Sequence, residues 1–153
     1  MNKSVSVFWF KRDLRLHDNE ALQQAIQSDY PVLPIYIYEP SLQNEPHYDE
    51  RHFRFIQQSL DDINQELARY NTQILILEKE AVDAFTYLSD YFTIKELYSH
   101  IETGLHISYQ RDLAVQKFCD QHHINWKEYQ NNGVHRFRKN RDQWKEQWYE
   151  YMQ

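Results

Sequence analysis

The sequence predicts a doubly wound, Rossmann-like α/β fold: a five-stranded parallel sheet in the order 3-2-1-4-5 with helices on both faces. Two observations carry this. Short apolar runs rich in β-branched and aromatic residues alternate with stretches of helical periodicity, and the spacing suits right-handed βαβ crossovers. There is also no internal repeat, low-complexity tract or Gly/Ser linker to divide the chain. Residues 5–10, VSVFWF, form a buried strand that ends at the charged loop 11–19. Asp18 then caps a helix that places Ala21, Leu22, Ala25 and Ile26 on one face. The run 32–38, VLPIYIY, is the second strand, stopped by Glu39 and Pro40. From about residue 49 to 70, Phe53, Ile56, Leu60, Ile63 and Leu67 recur at three- and four-residue steps, as in an amphipathic helix. Residues 74–77 make a third strand, 81–92 a helix and 94–99 a fourth strand. The helix 109–122 has Leu113, Val115, Phe118 and Cys119 as inner positions, and 124–129 is the fifth strand. Residues 139–153 carry Trp144, Trp148 and Tyr151 at helical spacing, an aromatic stripe with no further strand to serve. The expected division is therefore an α/β domain over 1–132 and a basic, aromatic helical segment over 133–153.

Composition narrows the function. The chain has 153 residues, enough for one domain that buries about 70% of its unfolded surface. Only Gly104 and Gly133 are glycines, so neither a GxxxxGKS phosphate loop nor a GxGxxG fingerprint exists. The single cysteine, Cys119, leaves no disulfide or zinc framework and fits a reducing, cytoplasmic setting. On an inner helix face it reads as a packed small hydrophobe. The eight histidines are dispersed, so no metal site is expected, and no GxSxG motif supports Ser/His/Asp catalysis. The N-terminus does not read as a signal peptide, and no window approaches the length of a membrane span. A net charge of −6 opposes binding to a nucleic-acid backbone except through a local patch such as Arg136, Arg138, Lys139 and Arg141.

In an open parallel sheet, ligands bind beyond the carboxyl ends of the strands, where the strand order reverses. With the order 3-2-1-4-5 that point lies between the first and fourth strands, under the loops KRDLRLHDN (11–19) and SHIETG (99–104). The first loop packs Lys11, Arg12, Asp13, Arg15, His17 and Asp18 into eight positions. Its arginines and carboxylate either bind an anionic or heteroaromatic ligand or pair with one another to pin the loop, and both hold together without conflict. In the second loop Glu102, taken alone, reads first as part of a polar loop that caps the next helix and second as an acceptor for ring N–H groups of a flat ligand, and Gly104 permits close backbone approach.

The segments VFWFKRDLRLHDNEAL, ERHFRFIQQSLDDINQEL, SHIETGLHISYQRD and NNGVHRFRKNRDQWKEQW resemble, in the same order, the N-terminal α/β domain of the DNA photolyase and cryptochrome family. The resemblance covers essentially the whole chain. It implies an antenna-chromophore domain for a folate, deazaflavin, FMN or lumazine. Carried onto matching positions, it implies a pocket built from Phe10, Arg12, Asp13, Arg15, Tyr38, Glu39, Arg51, Phe55, His100 and Glu102. It also implies a helical partner domain, in cis or in trans, that alone binds FAD and pyrimidine-dimer DNA, with light-driven electron donation from FAD splitting the dimer. This chain ends at Gln153, where the family pattern places the linker to that domain, so no catalytic residue and no repair by this chain alone are expected. Trp126, Tyr129, Trp144, Trp148, Tyr149 and Tyr151, crowded into the final stretch, are expected to meet the partner domain. The alternative is a stand-alone nucleotide-binding or protein-interaction module that keeps the fold without the light chemistry.

Overall fold

The computed structural model describes residues 1–136 and 140–153. It contains one five-stranded, all-parallel sheet in the order β3-β2-β1-β4-β5. The strands are β1 (Lys3–Phe10), β2 (Val32–Tyr38), β3 (Leu75–Glu78), β4 (Phe92–His100) and β5 (Asn125–Tyr129). The helices are α1 (Glu20–Ile26), α2 (Pro40–Gln43), α3 (Glu50–Leu67), α4 (Ala81–Tyr91), α5 (His106–Gln121) and α6 (Trp144–Met152).

β1 lies in the centre and is apolar on both faces. Val5, Val7 and Trp9 enter one core with Phe85 and Leu88 of α4 and Val115, Phe118 and Cys119 of α5. Phe8 and Phe10 enter the other, with Ala21 and Ala25 of α1 and Leu60 and Ile63 of α3. The period of two along a strand produces this division and makes VSVFWF a continuous apolar run rather than an alternating one.

Several elements depart from expectation. Asn19, not Asp18, caps α1: its side chain accepts from the Leu22 amide at 2.9 Å, while Asp18 turns the loop with φ 49°. The short α2 follows Glu39, with proline at its first turn where no amide donor is lost, and Glu80 accepts from both the amide and the hydroxyl of Ser41 at 2.8 and 2.7 Å. α3 starts from a capping box between Asp49 and His52 and gives way to a 3-10 turn, Ala68–Tyr70, with Asn71 left-handed after it. On α5, Leu113 is exposed and Asp112 occupies the inner face with Ser108, Val115 and Cys119. An inner carboxylate needs a buried cation, and it has several.

The C-terminal segment folds back on the domain. The Trp148 indole covers Gly133, and the Tyr151 hydroxyl donates to the Gln130 carbonyl at 2.8 Å, while Trp144 and Tyr149 remain about half exposed. Trp126 and Tyr129 pack within the domain instead, one on each face of the sheet. A methyl group on Gly133 would overlap the indole. Gly133→Ala is therefore expected to release α6 at a cost of about 1–3 kcal/mol. The checks are a red shift of tryptophan emission and faster proteolysis after residue 140.

Candidate functional site

A crevice of about 440 Å³ opens beyond the carboxyl ends of β1, β2 and β4, between α2, α3 and α5. Leu42, Tyr48, Phe55, Ile56 and Leu105 supply an apolar wall, and Lys11, Arg12, Glu39, Glu102 and Arg111 a charged floor. Each floor residue is placed by a strand end or by one helix. Lys11 and Arg12 follow β1, Glu39 follows β2, Glu102 follows β4, and Arg111 reaches back from the second turn of α5.

Arg111 organises the floor. Its Nη1 donates to Glu39 Oε2 at 2.8 Å, and its Nη2 donates to Glu102 Oε2 at 2.7 Å and to Asp112 Oδ1 at 2.9 Å. Its guanidinium carbon stands 4.8 Å from the centre of the Trp9 ring. Lys11 Nζ sits over the same ring at 4.5 Å and donates to Asp112 Oδ1 at 3.2 Å. Arg136 Nη2 donates to Asp112 Oδ2 at 2.6 Å and to the backbone carbonyl of Glu102. The planar guanidinium, with five donors in a fixed fork, serves all three carboxylates at once and holds them in set directions, which the three rotatable donors of a lysine ammonium do not. Two floor atoms are left over. Among the described residues, Glu39 Oε1 and Glu102 Oε1 are buried without a hydrogen-bond partner, although Arg12 Nε comes within ion-pair range of the latter at 3.2 Å.

Burial shifts these groups in opposite directions. Desolvation lowers the Lys11 ammonium below its ordinary value against the pull of Asp112. Desolvation likewise pushes the Glu39 carboxyl up to about 7, although Arg111 opposes it. A carboxyl raised in the folded state favours the protonated form. Its contribution to stability is thus full below the unfolded value near 4.5 and is lost as pH rises through about 7. Unfolding free energy is expected to fall on the order of 1–3 kcal/mol across that window. Glu39→Gln should flatten this limb, because the amide that replaces the carboxyl cannot ionise; urea titrations at half-unit pH steps would read the effect.

The ten residues expected at the site separate into two groups. Phe10, Arg12, Glu39, Phe55 and Glu102 line the crevice. Asp13 and His100 do not: both are 3% exposed and pair with each other at 2.5 Å, beside a separate 80 Å³ pocket. Asp13 also accepts from the Lys11 amide at 3.1 Å. Burial would raise this carboxyl, but the bond to His100 outweighs it and holds the group below the usual range. This pair ties the loop to the end of β4, so the loop is pinned by a histidine outside it and not, as one reading had it, by Asp13 pairing with the loop's own arginines; Arg12 pairs with Glu102 instead. Arg15 bonds the Asp18 carbonyl and Asn131 Oδ1, at 3.1 and 2.7 Å. Tyr38 packs edge-on to Tyr36 in the α3-side core, and Tyr36 lines the crevice in its place. Arg51 is exposed and pairs with Asp49 at 3.1 Å, whereas His52, the next residue on the helix, lines the crevice.

Sequence reasoning named Lys11 only as one of the loop charges and missed Arg111, Asp112 and the mouth residues His47, Tyr48 and His52. For Asp112 a signal existed: it falls on the helical face defined by Ser108, Val115 and Cys119. Of the basic patch considered for DNA contact, Arg136 is spent inside the domain with 15% of its side chain exposed. Arg138 and Lys139 lie outside the described residues. Among the described residues, no cluster of three His, Cys, Asp or Glu could hold a metal ion, and no helix is long and apolar enough to cross a membrane.

The family model for DNA photolyase matches residues 6–150. Cryptochrome-1 of Spalax judaei is 28% identical over 116 residues, and cryptochrome-2 of Gallus gallus 30% over 116; each alignment covers 76% of this chain and 20% of the relative. The chain thus spans about a fifth of the length of these curated relatives. An archaeal photolyase from Sulfolobus tokodaii, solved with two FAD molecules and implicating a novel light-harvesting cofactor, superposes with a TM-score of 0.74 at 28% identity over 84% of this chain and 29% of that one. A class III photolyase from Agrobacterium tumefaciens superposes at 0.79 with 17% identity, over 93% and 29% of the two chains, a likeness of fold.

Proposed function

The chain belongs to the DNA photolyase family, and from that premise we propose that its crevice holds a flat antenna chromophore. One observation carries the reading: on the charged floor of a cleft with an apolar wall, Glu39 Oε1 is buried with no hydrogen-bond partner among the described residues, and Glu102 Oε1 beside it has no hydrogen bond and only the Arg12 Nε at 3.2 Å. A buried acceptor left unpaired is costly, and a ring N–H donor relieves it. Flavin, deazaflavin, lumazine and the pterin of a folate all present such N–H edges beside an apolar ring. The cleft volume suits a ligand of that size. The Sulfolobus tokodaii relative, with its second FAD and its light-harvesting cofactor, makes a flavin the first candidate.

The bound chromophore would supply light absorption. The chain's own residues bind and orient it. Arg111 fixes both carboxylates, Tyr48, Phe55 and Leu105 cover the ring and exclude water, and the Asp13–His100 pair keeps the loop after β1 in place. Light-dependent repair of pyrimidine dimers, or cryptochrome signalling, would need an FAD-binding helical domain joined in cis or in trans. The exposed Trp144 and Tyr149 of α6 offer apolar surface for it. Dimer-containing DNA would be met through that domain.

The test is equilibrium dialysis of the chain against riboflavin, FMN, a methenyl folate, a deazaflavin and a lumazine, read by near-ultraviolet to blue absorption. At least one should bind, and Glu102→Gln should weaken it about tenfold, the loss of one hydrogen bond to a charged acceptor. Binding of ATP with none of the chromophores would overturn the reading in favour of a nucleotide-binding module.

A further inference from the structure

Glu102 belongs to two structures at once. Its carboxylate faces the crevice, and its backbone carbonyl, on the other side of the loop, accepts from Arg136. The same Arg136 guanidinium donates to Asp112, Asp112 accepts from Arg111, and Arg111 donates back to the Glu102 carboxylate. These four residues close a ring of charge-assisted bonds in which the side chains are 3%, 9%, 4% and 15% exposed for Glu102, Arg111, Asp112 and Arg136. In a closed ring, no member moves without changing the bonds of the others.

Arg136 ends a short strap that carries the motion outward. Within it, Gln130 Nε2 donates to the Asn132 carbonyl at 2.7 Å and the Val134 amide to Asn132 Oδ1 at 2.9 Å, so the strap has internal stiffness. Gly133, three residues before Arg136, is the seat of Trp148, and the Gln130 carbonyl is the acceptor for Tyr151. The seat of α6 and the floor of the crevice are therefore two ends of one bonded path. Apart from Trp148, α6 is exposed along its length, so its docking responds to small changes in the strap.

We propose that Glu102 couples the two sites through Arg136: occupancy of the crevice firms the docking of α6, and release of α6 loosens the crevice. The ligand half of this coupling rests on the proposed function; the mechanical half does not. Such coupling is reciprocal.

Amide hydrogen exchange of residues 144–152 in the 153-residue chain tests it. Glu102→Gln keeps the backbone carbonyl and weakens the bonds to Arg111, and is expected to speed exchange there about fivefold. In an Arg136→Gln background the ring is already open, so the same change should add nothing. Glu96→Gln, which removes a carboxylate paired with Lys127 in the middle of β4 and outside the ring, should leave these amides unchanged. From the other end, Gly133→Ala should speed exchange at residues 102–105. Riboflavin at saturation should slow exchange of 144–152 in the wild type and not in Arg136→Gln. The coupling is overturned if Glu102→Gln leaves 144–152 unchanged, if its effect persists in the Arg136→Gln background, if Glu96→Gln has an equal effect, or if Gly133→Ala leaves 102–105 unchanged. Failure of riboflavin and of the other four chromophores to bind, with the effects of the variants intact, sinks the ligand reading and supports the coupling.

Discussion

Asp112→Ala is expected to cost about 3–5 kcal/mol of unfolding free energy at neutral pH. Asp112 is 4% exposed and neutralises three cations: Lys11 at 3.2 Å, Arg111 at 2.9 Å and Arg136 at 2.6 Å. Truncation leaves all three buried or half-buried with less than their charge balanced. Glu39 and Glu102 are already committed to Arg111 and cannot replace the missing anion. The pH dependence identifies the cause. Burial would raise the Asp112 carboxyl, but Lys11, then Arg111 and Arg136, outweigh it and hold the group below the ordinary carboxylate range. A depressed carboxyl stabilises the fold above its unfolded value, and that contribution is lost as pH falls through the lower, folded value. Wild type and variant should therefore differ most at pH 7 and converge toward pH 3. Urea denaturation at the two pH values measures the gap. A difference that is equally large in acid would mean that Asp112 acts by packing rather than by charge.

Trp9→Ala should cost a similar amount, about 3–5 kcal/mol. The side chain is 1% exposed and meets Phe85 edge-on at 5.3 Å and Trp126 at 6.3 Å. Trp9 has a second role, as the ring beneath both Lys11 and Arg111. Each such contact is worth about 0.5–2 kcal/mol, more where water is excluded. Trp9→Phe separates the roles, because phenylalanine fills most of the volume and offers the cations a weaker π-face. We expect it to lose about 1–2 kcal/mol. A loss near zero would mean that the cations draw nothing from the larger indole face, and thermal denaturation of the two variants decides between these outcomes.

What the sequence disclosed follows from the range of each interaction. Strand order and the two cores were readable because VSVFWF and VLPIYIY must be buried on both faces, and because crossovers have one hand. The location of the crevice followed from topology, since the switch point between β1 and β4 is fixed once the order is known. Its individual residues depended on rotations of one position. Arg51 and His52 differ by about 100° around α3, and only the second faces the cleft. Arg111 was hidden for another reason: a surface arginine and an organising arginine look alike until the helix is docked. Asp112 was recoverable, since a carboxylate on an apolar helix face demands a partner. The four-residue α2 is too short for any periodicity to show.

The central position of β1 also has a temporal consequence. β1 is the first of the five strands made, but its pairing with β4 joins Ser6 to Glu96, and of the helices that cover Val5, Val7 and Trp9, α4 comes just before β4 and α5 after it. β2 ends at Tyr38 and β4 at His100, so about sixty residues must be synthesised between closure of the first edge of β1 and closure of the second. At about 5–20 residues per second, the nascent chain carries one face and one edge of its most apolar strand uncovered for roughly 3–12 s. During that interval the α1/α3 half can condense, while the α4/α5 half cannot. The ribosome and any chaperone bound to the emerging chain therefore act on a half-formed sheet whose exposed side is the side that carries Trp9.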